Sequence, residues 1–469
     1  MAKTIFNSSE KSNFILNMTE EKYSQIASWG LLSACFGVSL FTIIPEVTMN
    51  RGFYSMSSAG LAISGVICLI LALIAIIKKY IKNIMFPVCA FGAMVLWCIV
   101  SLINSYDVNI SLNGYSGRGE GFLAILFYFS FFVTAASITR KKAFETFIYG
   151  ITGTGLLNAA FGLVQIFAGN FSHYINTSLD VHINAASGLM QSPLFLAMLL
   201  TVCLVTALVG FAVSDNKKKR IFFIICACLY SFVMLFTYSL IGICGAVFGI
   251  IAAIIAVIKE KSPKIRLLSV FSVIIPAVLS ILLVNGGIVG DSGKYKLHDG
   301  QILWWADGYM RISACGMPDS KSVDINDTYD VYSTLNRKTI NIIQDRILTG
   351  TGPDQLVYPQ LYTTGDLDIE TSDISDIVSR NKGTFDKVYN EYLYTAATRG
   401  VPSLIAMICL IVSVIFTGMK NFKNNLWTGK VFFFAYLSGV LIFLISCSNI
   451  GFSPIFWAIA GAACARAKE

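Results

Sequence analysis

The sequence predicts an all-α polytopic membrane protein of about twelve transmembrane helices with one large, partly folded extracytoplasmic loop. Three observations carry that prediction. Apolar runs recur from Ile26 to Ala465, and a spanning helix needs about 20 mostly apolar residues. Hydrophobic residues make up 55% of the 469 positions and charged residues only 13%, where a soluble domain carries about 25% charged residues. The basic clusters fall at every second gap: Lys78-Lys79, Arg140-Lys141-Lys142, Lys217 to Arg220, Lys259 to Arg266 and Lys420 to Lys430. A soluble core gives no reason for that spacing, whereas cytoplasmic loops of membrane proteins keep an excess of Lys and Arg.

In chain order the runs are about 26–47, 57–77, 83–103, 121–138, 145–169, 187–213, 221–240, 241–258, 267–289, 402–419, 429–448 and 450–465. The pair around Ser239 to Gly242 has almost no polar gap and must turn tightly, and the short last run leaves eleven spans open. The chain thus divides into residues 1–289 with about nine spans, an extracytoplasmic loop domain over 290–400, and 401–469 with about three spans. An even count puts both termini in the cytoplasm, with 22 of the 35 Lys and Arg facing it. The net charge of +8 is then a topology signal and implies no nucleic-acid partner. The polar first 25 residues read as a cytoplasmic tail and not as a cleavable signal peptide.

Eleven of the twelve Cys lie in or beside apolar runs and read as small hydrophobic residues; only Cys315 falls in the large loop. No CxxC or Cys/His cluster points to a metal, and no P-loop or GxGxxG points to a nucleotide, so no cofactor is expected. The spans hold almost no ionisable residues, which argues against a proton-coupled transporter.

Within the large loop, Gln301 to Trp305 and Tyr309 to Ser313 are strand-like, with a hairpin turn at Ala306-Asp307-Gly308. Asp327 to Gln344 reads as an amphipathic helix with Tyr332, Leu335, Ile340 and Ile343 on its apolar side. Thr384 to Thr398 reads as a second helix, stopped at Gly400 with Pro402 beyond.

Two motifs carry chemistry. Arg118-Gly-Glu120-Gly precedes a span on the outer face. Arg presents a planar fork of donors suited to phosphate oxygens, so the pattern fits anion binding, an interfacial anchor or an internal Arg–Glu pair. The second is Phe385-Asp-Lys-Val-Tyr-Asn-Glu-Tyr-Leu393. In a helix, Asp386, Asn390 and Tyr394 share a face, with Lys387 and Glu391 beside it. Such a face could orient a sugar hydroxyl and hold a phosphate, or simply cap a helix lying on the membrane surface.

Four segments resemble the O-antigen ligase and polymerase family of membrane glycan transferases, particularly its Gram-positive members. They are Arg118-Gly-Glu-Gly-Phe-Leu, Ser187-Gly-Leu-Met-Gln-Ser-Pro-Leu-Phe, Leu348-Thr-Gly-Thr-Gly-Pro-Asp-Gln-Leu with Tyr358-Pro-Gln, and Asp386-Lys-Val-Tyr-Asn-Glu-Tyr-Leu with Gly400 and Pro402. The resemblance implies transfer of a glycan from a polyprenyl diphosphate to an acceptor hydroxyl, by ligation or polymerisation, at the outer face of the cell membrane. Its partners would be the lipid-linked glycan, a glycan or lipid acceptor, and the membrane itself. It implies Arg118, Glu120, Lys387, Asn390 and Arg337 as substrate-binding residues and no metal. The family's basic His corresponds to Tyr389, a poor base because its ordinary pKa is near 10. Glu391 or Asp386 would then be the base, with Tyr389 donating a hydrogen bond to the sugar. Ser239-Leu240 stands where the family usually has Ser-Arg. The alternative is a non-catalytic relative that binds lipid-linked glycan or a partner in cell-surface polymer assembly.

The orientation has a direct check. With single Cys at positions 320 and 218, a membrane-impermeant thiol reagent applied from outside should modify the Ser320→Cys protein and spare Lys218→Cys. The reverse pattern would invert the topology.

Overall fold

In lipid a helix satisfies its backbone groups within its own segment, and the described residues form fifteen helices and no strand. The computed structural model describes residues 18–44, 56–81, 84–114, 118–168, 186–190, 192–214, 216–237, 239–258, 263–285, 325–356, 387–423 and 427–465. In order the helices are α1 Glu20–Thr42, α2 Met56–Ile77, α3 Met85–Ile103, α4 Val108–Asn113, α5 Phe122–Ala136, α6 Lys141–Ala168, α7 Pro193–Val213, α8 Lys217–Leu235, α9 Leu240–Ala256, α10 Pro263–Asn285, α11 Ile325–Asp345, α12 Glu391–Arg399, α13 Val401–Lys423, α14 Trp427–Ile442 and α15 Ser453–Cys464. Each of the twelve apolar runs coincides with one of these helices. Seven, α1, α2, α3, α6, α7, α10 and α13, are long and apolar enough to cross a membrane, and α5, α9, α14 and α15 are shorter apolar helices. The protein is an all-α, multi-pass membrane protein.

Polar detail moves several ends. The run expected from 187 becomes helical only at Pro193, because Gln165 of α6 holds the preceding turn. Its Oε1 accepts from the Ser187 and Gly188 amides at 2.9 and 2.8 Å. The tight turn at Ser239 is present: its side chain accepts from the Ile241 amide and caps α9. The runs 429–448 and 450–465 are separated by an unwound stretch, since α14 ends at Ile442 and α15 begins at Ser453.

At the centre lies α7. It is apolar all round, and all its residues except Phe195 are buried, as expected for a helix surrounded by others. It packs against α6, α8, α9, α10 and α14. α10 sits at the edge and leaves Leu267, Phe271, Ile275 and Leu282 exposed, as a lipid-facing helix does. Beside this group α5 packs on α2 and α15, α1 on α2 and α6, and α3 on α13.

The loop helices differ from expectation in instructive ways. Helix α12 starts at Glu391, not near Thr384, because the Asn390 side chain accepts from the Tyr392 and Leu393 amides and is its N-cap. Lys387 to Asn390 are therefore not helical, and the helical face expected to join Asn390 to Tyr394 does not form. Gly400 ends α12 with φ 80°, the left-handed region that favours glycine. Pro402 lies in the first turn of α13, where its missing N–H costs nothing. Among the described side chains of α11, from Leu335 on, Leu335, Thr339 and Ile342 are buried, while Ile340, expected on the apolar side, is exposed; the expected Tyr332 lies outside them. The helix α4, capped by Asp107, was not expected at all. The hairpin expected over Gln301 to Ser313 lies outside the described residues.

The α5–α15 contact depends on Gly461. A Cβ there would sit 2.1 Å from the Phe132 carbonyl oxygen, which is backbone and cannot swing away. Gly461→Ala should destabilise the purified protein by about 1–3 kcal/mol. Gly92 meets nothing within 4 Å, so Gly92→Ala in α3 should be neutral or stabilising by up to about 1 kcal/mol. Thermal unfolding in detergent reads both, and an unchanged Gly461→Ala melting temperature would refute the close approach.

Candidate functional site

A charged side chain kept from water must find a partner. Arg118 does so directly before α5. Its Nε lies 3.1 Å from Asp354 Oδ1, with both side chains almost wholly buried. Its guanidinium also lies 4.3 Å from the Tyr394 ring centroid and donates to the Ser448 carbonyl at 3.4 Å. Tyr394 donates its hydroxyl to Asp354 Oδ1 at 2.5 Å, and the Glu120 amide donates to Asp354 Oδ2 at 3.1 Å. Asp354 thus gathers the segment before α5 and the helix α12, and Arg118 adds the backbone between α14 and α15.

Asp354 is held there by an unusual local chain. Gly350, Gly352 and Asp354 all have positive φ, at 65°, 110° and 58°; Asp is among the few non-glycine residues that tolerate this region. The path lets Thr351 and Gly352 donate to the Ala397 and Thr398 carbonyls at 2.9 and 3.0 Å. These are carbonyls that the last turn of α12 cannot satisfy itself. Ser101 Oγ also donates to the Thr398 carbonyl, and Trp97 Nε1 to the Leu348 carbonyl, each at 2.8 Å. A Cβ on Gly400 would lie 2.0 Å from the Leu348 oxygen. The loop 348–355 is therefore seated between α3 and the end of α12.

A second carboxylate, Glu391, opens α12 and faces the same unwound stretch. Its Oε2 accepts from the Ser448 amide at 2.7 Å and its Oε1 from Thr395 Oγ1 at 3.2 Å. Arg399 Nη1 lies 3.7 Å from Oε1, and the Arg399 guanidinium is 5.9 Å from the Tyr394 ring centroid. The Tyr394 ring thus has two cations within about 6 Å of its centroid, the range in which the ring's electron-rich face attracts them.

The third carboxylate, Glu120, accepts from Tyr128 at 2.7 Å and from Ser453 at 3.5 Å through Oε1. Its Oε2 is buried with no hydrogen-bond partner among the described residues. Burial pushes its pKa up to about 7, against the pull of Arg118 and the Tyr128 hydrogen bond and with added repulsion from Glu391. The cluster holds two guanidiniums and three carboxylates, and a proton on Glu120 balances it.

The structure brings three of the expected residues, Arg118, Glu120 and Glu391, into this cluster, all buried. Tyr389 is buried, and Asn390 caps α12 and donates to the Leu444 carbonyl at 3.2 Å. Lys387 is half-buried with its Nζ 5.3 Å from the Phe195 ring centroid. Arg337 is exposed on α11. Asp386 lies outside the described residues. Sequence reading missed Asp354, Arg399 and Ser448 as members. Asp354 stood in the quoted Gly-Pro-Asp stretch, and the polar run Ser446 to Ser453 inside an apolar region was a signal of a broken helix. Among the described residues no three His, Cys, Asp or Glu converge as a metal site.

Residues 223–408 match the family model described as O-antigen ligase. Over this segment, less than half of the chain, the protein is similar to the O-antigen ligase family. No curated protein matches the chain. The O-antigen ligase segment contains Asp354, Glu391, Tyr394 and Arg399, whereas Arg118, Glu120 and Ser448 lie outside it. The cluster therefore joins the matched segment to the helices on both sides.

The raised pKa of Glu120 makes stability depend on pH. Between the ordinary 4.5 and about 7, the folded state holds a proton that the unfolded chain releases, so stability falls as pH rises through this window. The change is about 3 kcal/mol when complete. Melting temperature should drop from pH 5 to pH 7.5, and Glu120→Gln should flatten the profile. An identical slope in the variant would show that another group titrates.

Proposed function

We propose that the protein transfers a glycan from a polyprenyl diphosphate to an acceptor hydroxyl on the outer face of the cell membrane, as a ligase or polymerase. The observation that carries this reading is the coincidence of the O-antigen ligase segment with α12, whose start is flanked by Lys387, Tyr389, Asn390 and Glu391. In the reaction the acceptor oxygen bonds to the anomeric carbon as the bond to the diphosphate oxygen breaks. The acceptor proton passes to a base, and the lipid diphosphate departs with the bond electrons.

Asp386 or Glu391 takes the proton. Both Glu391 oxygens are engaged, by Ser448, Thr395 and Arg399, so Asp386 is the simpler base. Tyr389 donates a hydrogen bond to the sugar, as its protonated hydroxyl can at neutral pH. Lys387, Asn390 and Arg337 meet the charge of the departing diphosphate and the sugar hydroxyls; fixed cations aimed at developing charge are a large source of rate. Arg118 and Glu120 were expected to touch the substrate. Their contacts within the cluster favour a different role: the Arg118 side chain and the Glu120 amide hold Asp354, which binds Tyr394 of α12. The loop domain lies outside and both termini inside in this reading.

The substitution of Tyr389 for the family's base favours a second reading, a relative that binds lipid-linked glycan without turning it over. Purified protein given a polyprenyl-diphosphate-linked glycan and acceptor should release lipid diphosphate. Asp386→Asn should lower kcat by about 10²-fold or more, and Lys387→Ala by about tenfold, at unchanged melting temperature. Asp354→Ala should instead lower the melting temperature, since breaking a buried pair costs about 3–5 kcal/mol. Binding of donor without release by the wild type would establish the second reading. Full activity in Asp386→Asn and Glu391→Gln would remove both from the role of base.

A further inference from the structure

A cavity of about 500 Å³ opens between the N-terminal parts of α1 and α6, past the end of α5 opposite to Arg118 and Glu120. Lys141 and Lys142 line it from the first turn of α6, Arg140 from just before it, and Glu21, Gln25, Ser28 and Trp29 from α1. Glu21, Gln25 and Ser28 recur at helical spacing, so they form one polar stripe down the side of α1. A polar stripe at the end of a spanning helix is out of place against hydrocarbon. Trp29 closes the stripe with 64% of its surface exposed, and Trp is favoured at the boundary of headgroups and acyl chains. One carboxylate, Glu21, opposes three cations and, among the described residues, pairs with Arg140 at 3.1 Å. Lys141 and Lys142 are exposed.

We propose that this cavity binds the phosphate of an anionic phospholipid, with the headgroup among Arg140, Lys141, Lys142 and the polar stripe and an acyl chain passing Trp29. The volume lies in the range of small-ligand sites, about 300–1,000 Å³. Basic pockets between membrane helices are suited to anionic headgroups. Both sources of phosphate, a lipid and the free ion, would meet the same cations. Trp29 and the apolar flank of α1 below it favour the lipid.

The test uses purified full-length protein in neutral detergent. Binding of short-chain phosphatidylglycerol, short-chain phosphatidylcholine and inorganic phosphate is compared by titration. Phosphatidylglycerol should bind saturably and at least tenfold more tightly than phosphatidylcholine. The Arg140→Gln/Lys142→Gln variant should weaken it by about tenfold or more, on the basis of about fivefold per cation removed. Glu21→Gln should tighten it several-fold by freeing Arg140, a gain that loss of structure cannot imitate. Equal binding of the two lipids, or unchanged binding in the double variant, would overturn the proposal. Inorganic phosphate as tight as phosphatidylglycerol would assign the cavity to the free ion and overturn the lipid. None of these outcomes bears on glycan transfer, which is read separately.

Discussion

A guanidinium enclosed among helices has few ways to remain charged at tolerable cost, and the Arg118–Asp354 pair is the one the fold is arranged around. Three stretches distant in sequence converge because each supplies one part of the solution. The segment before α5 brings the cation, the loop 348–355 brings the carboxylate, and α12 brings the phenol that both binds Asp354 and lies under the guanidinium. The positive φ values at Gly350, Gly352 and Asp354 follow from that demand. Only a chain bent this way can offer its amides to the end of α12 and its carboxylate to Arg118.

The same logic extends outward. Glu391 fixes the start of α12 to the unwound stretch between α14 and α15 through Ser448, and Arg118 donates to the carbonyl of that same residue. Backbone that leaves a helix near a membrane needs partners for its polar groups, and here charged side chains supply them. The cluster thus stabilises a helix break as much as the break receives the cluster. The position of Lys387 and Tyr389, which immediately precede α12, is set by this anchoring and not by contacts of their own alone.

The twelve apolar runs were legible because burial in lipid demands little beyond length and hydrophobicity, and those are properties of one segment at a time. Ends were less legible. Asn390 and Asp107 each cap a helix by side-chain bonds to amides two and three residues on, a local preference that hydrophobic periodicity does not report. Of the site, Arg118 and Glu120 stood out because charge is scarce between the spans, and Glu391 because it belongs to the Asp386-Lys-Val-Tyr-Asn-Glu motif. Asp354 and Arg399 carry the same chemistry but sat among the other charges of the same loop. Asp354 takes its significance from Arg118, more than two hundred residues away, and one sequence holds no record of such a pairing; Arg399 meets Glu391 and Thr395 along α12 itself.

The enclosure of α7 has a consequence for assembly. A helix with no surface left for lipid has no stable resting place until its neighbours exist. Its walls include α9, made soon afterwards, and α14, near the other end of the chain. During synthesis α7 enters the bilayer surrounded by acyl chains and must exchange them for protein later. The native arrangement around it is therefore completed only when the C-terminal helices leave the ribosome, and a truncation before α14 strands the most apolar-walled element of the protein in a lipid environment it is built to leave.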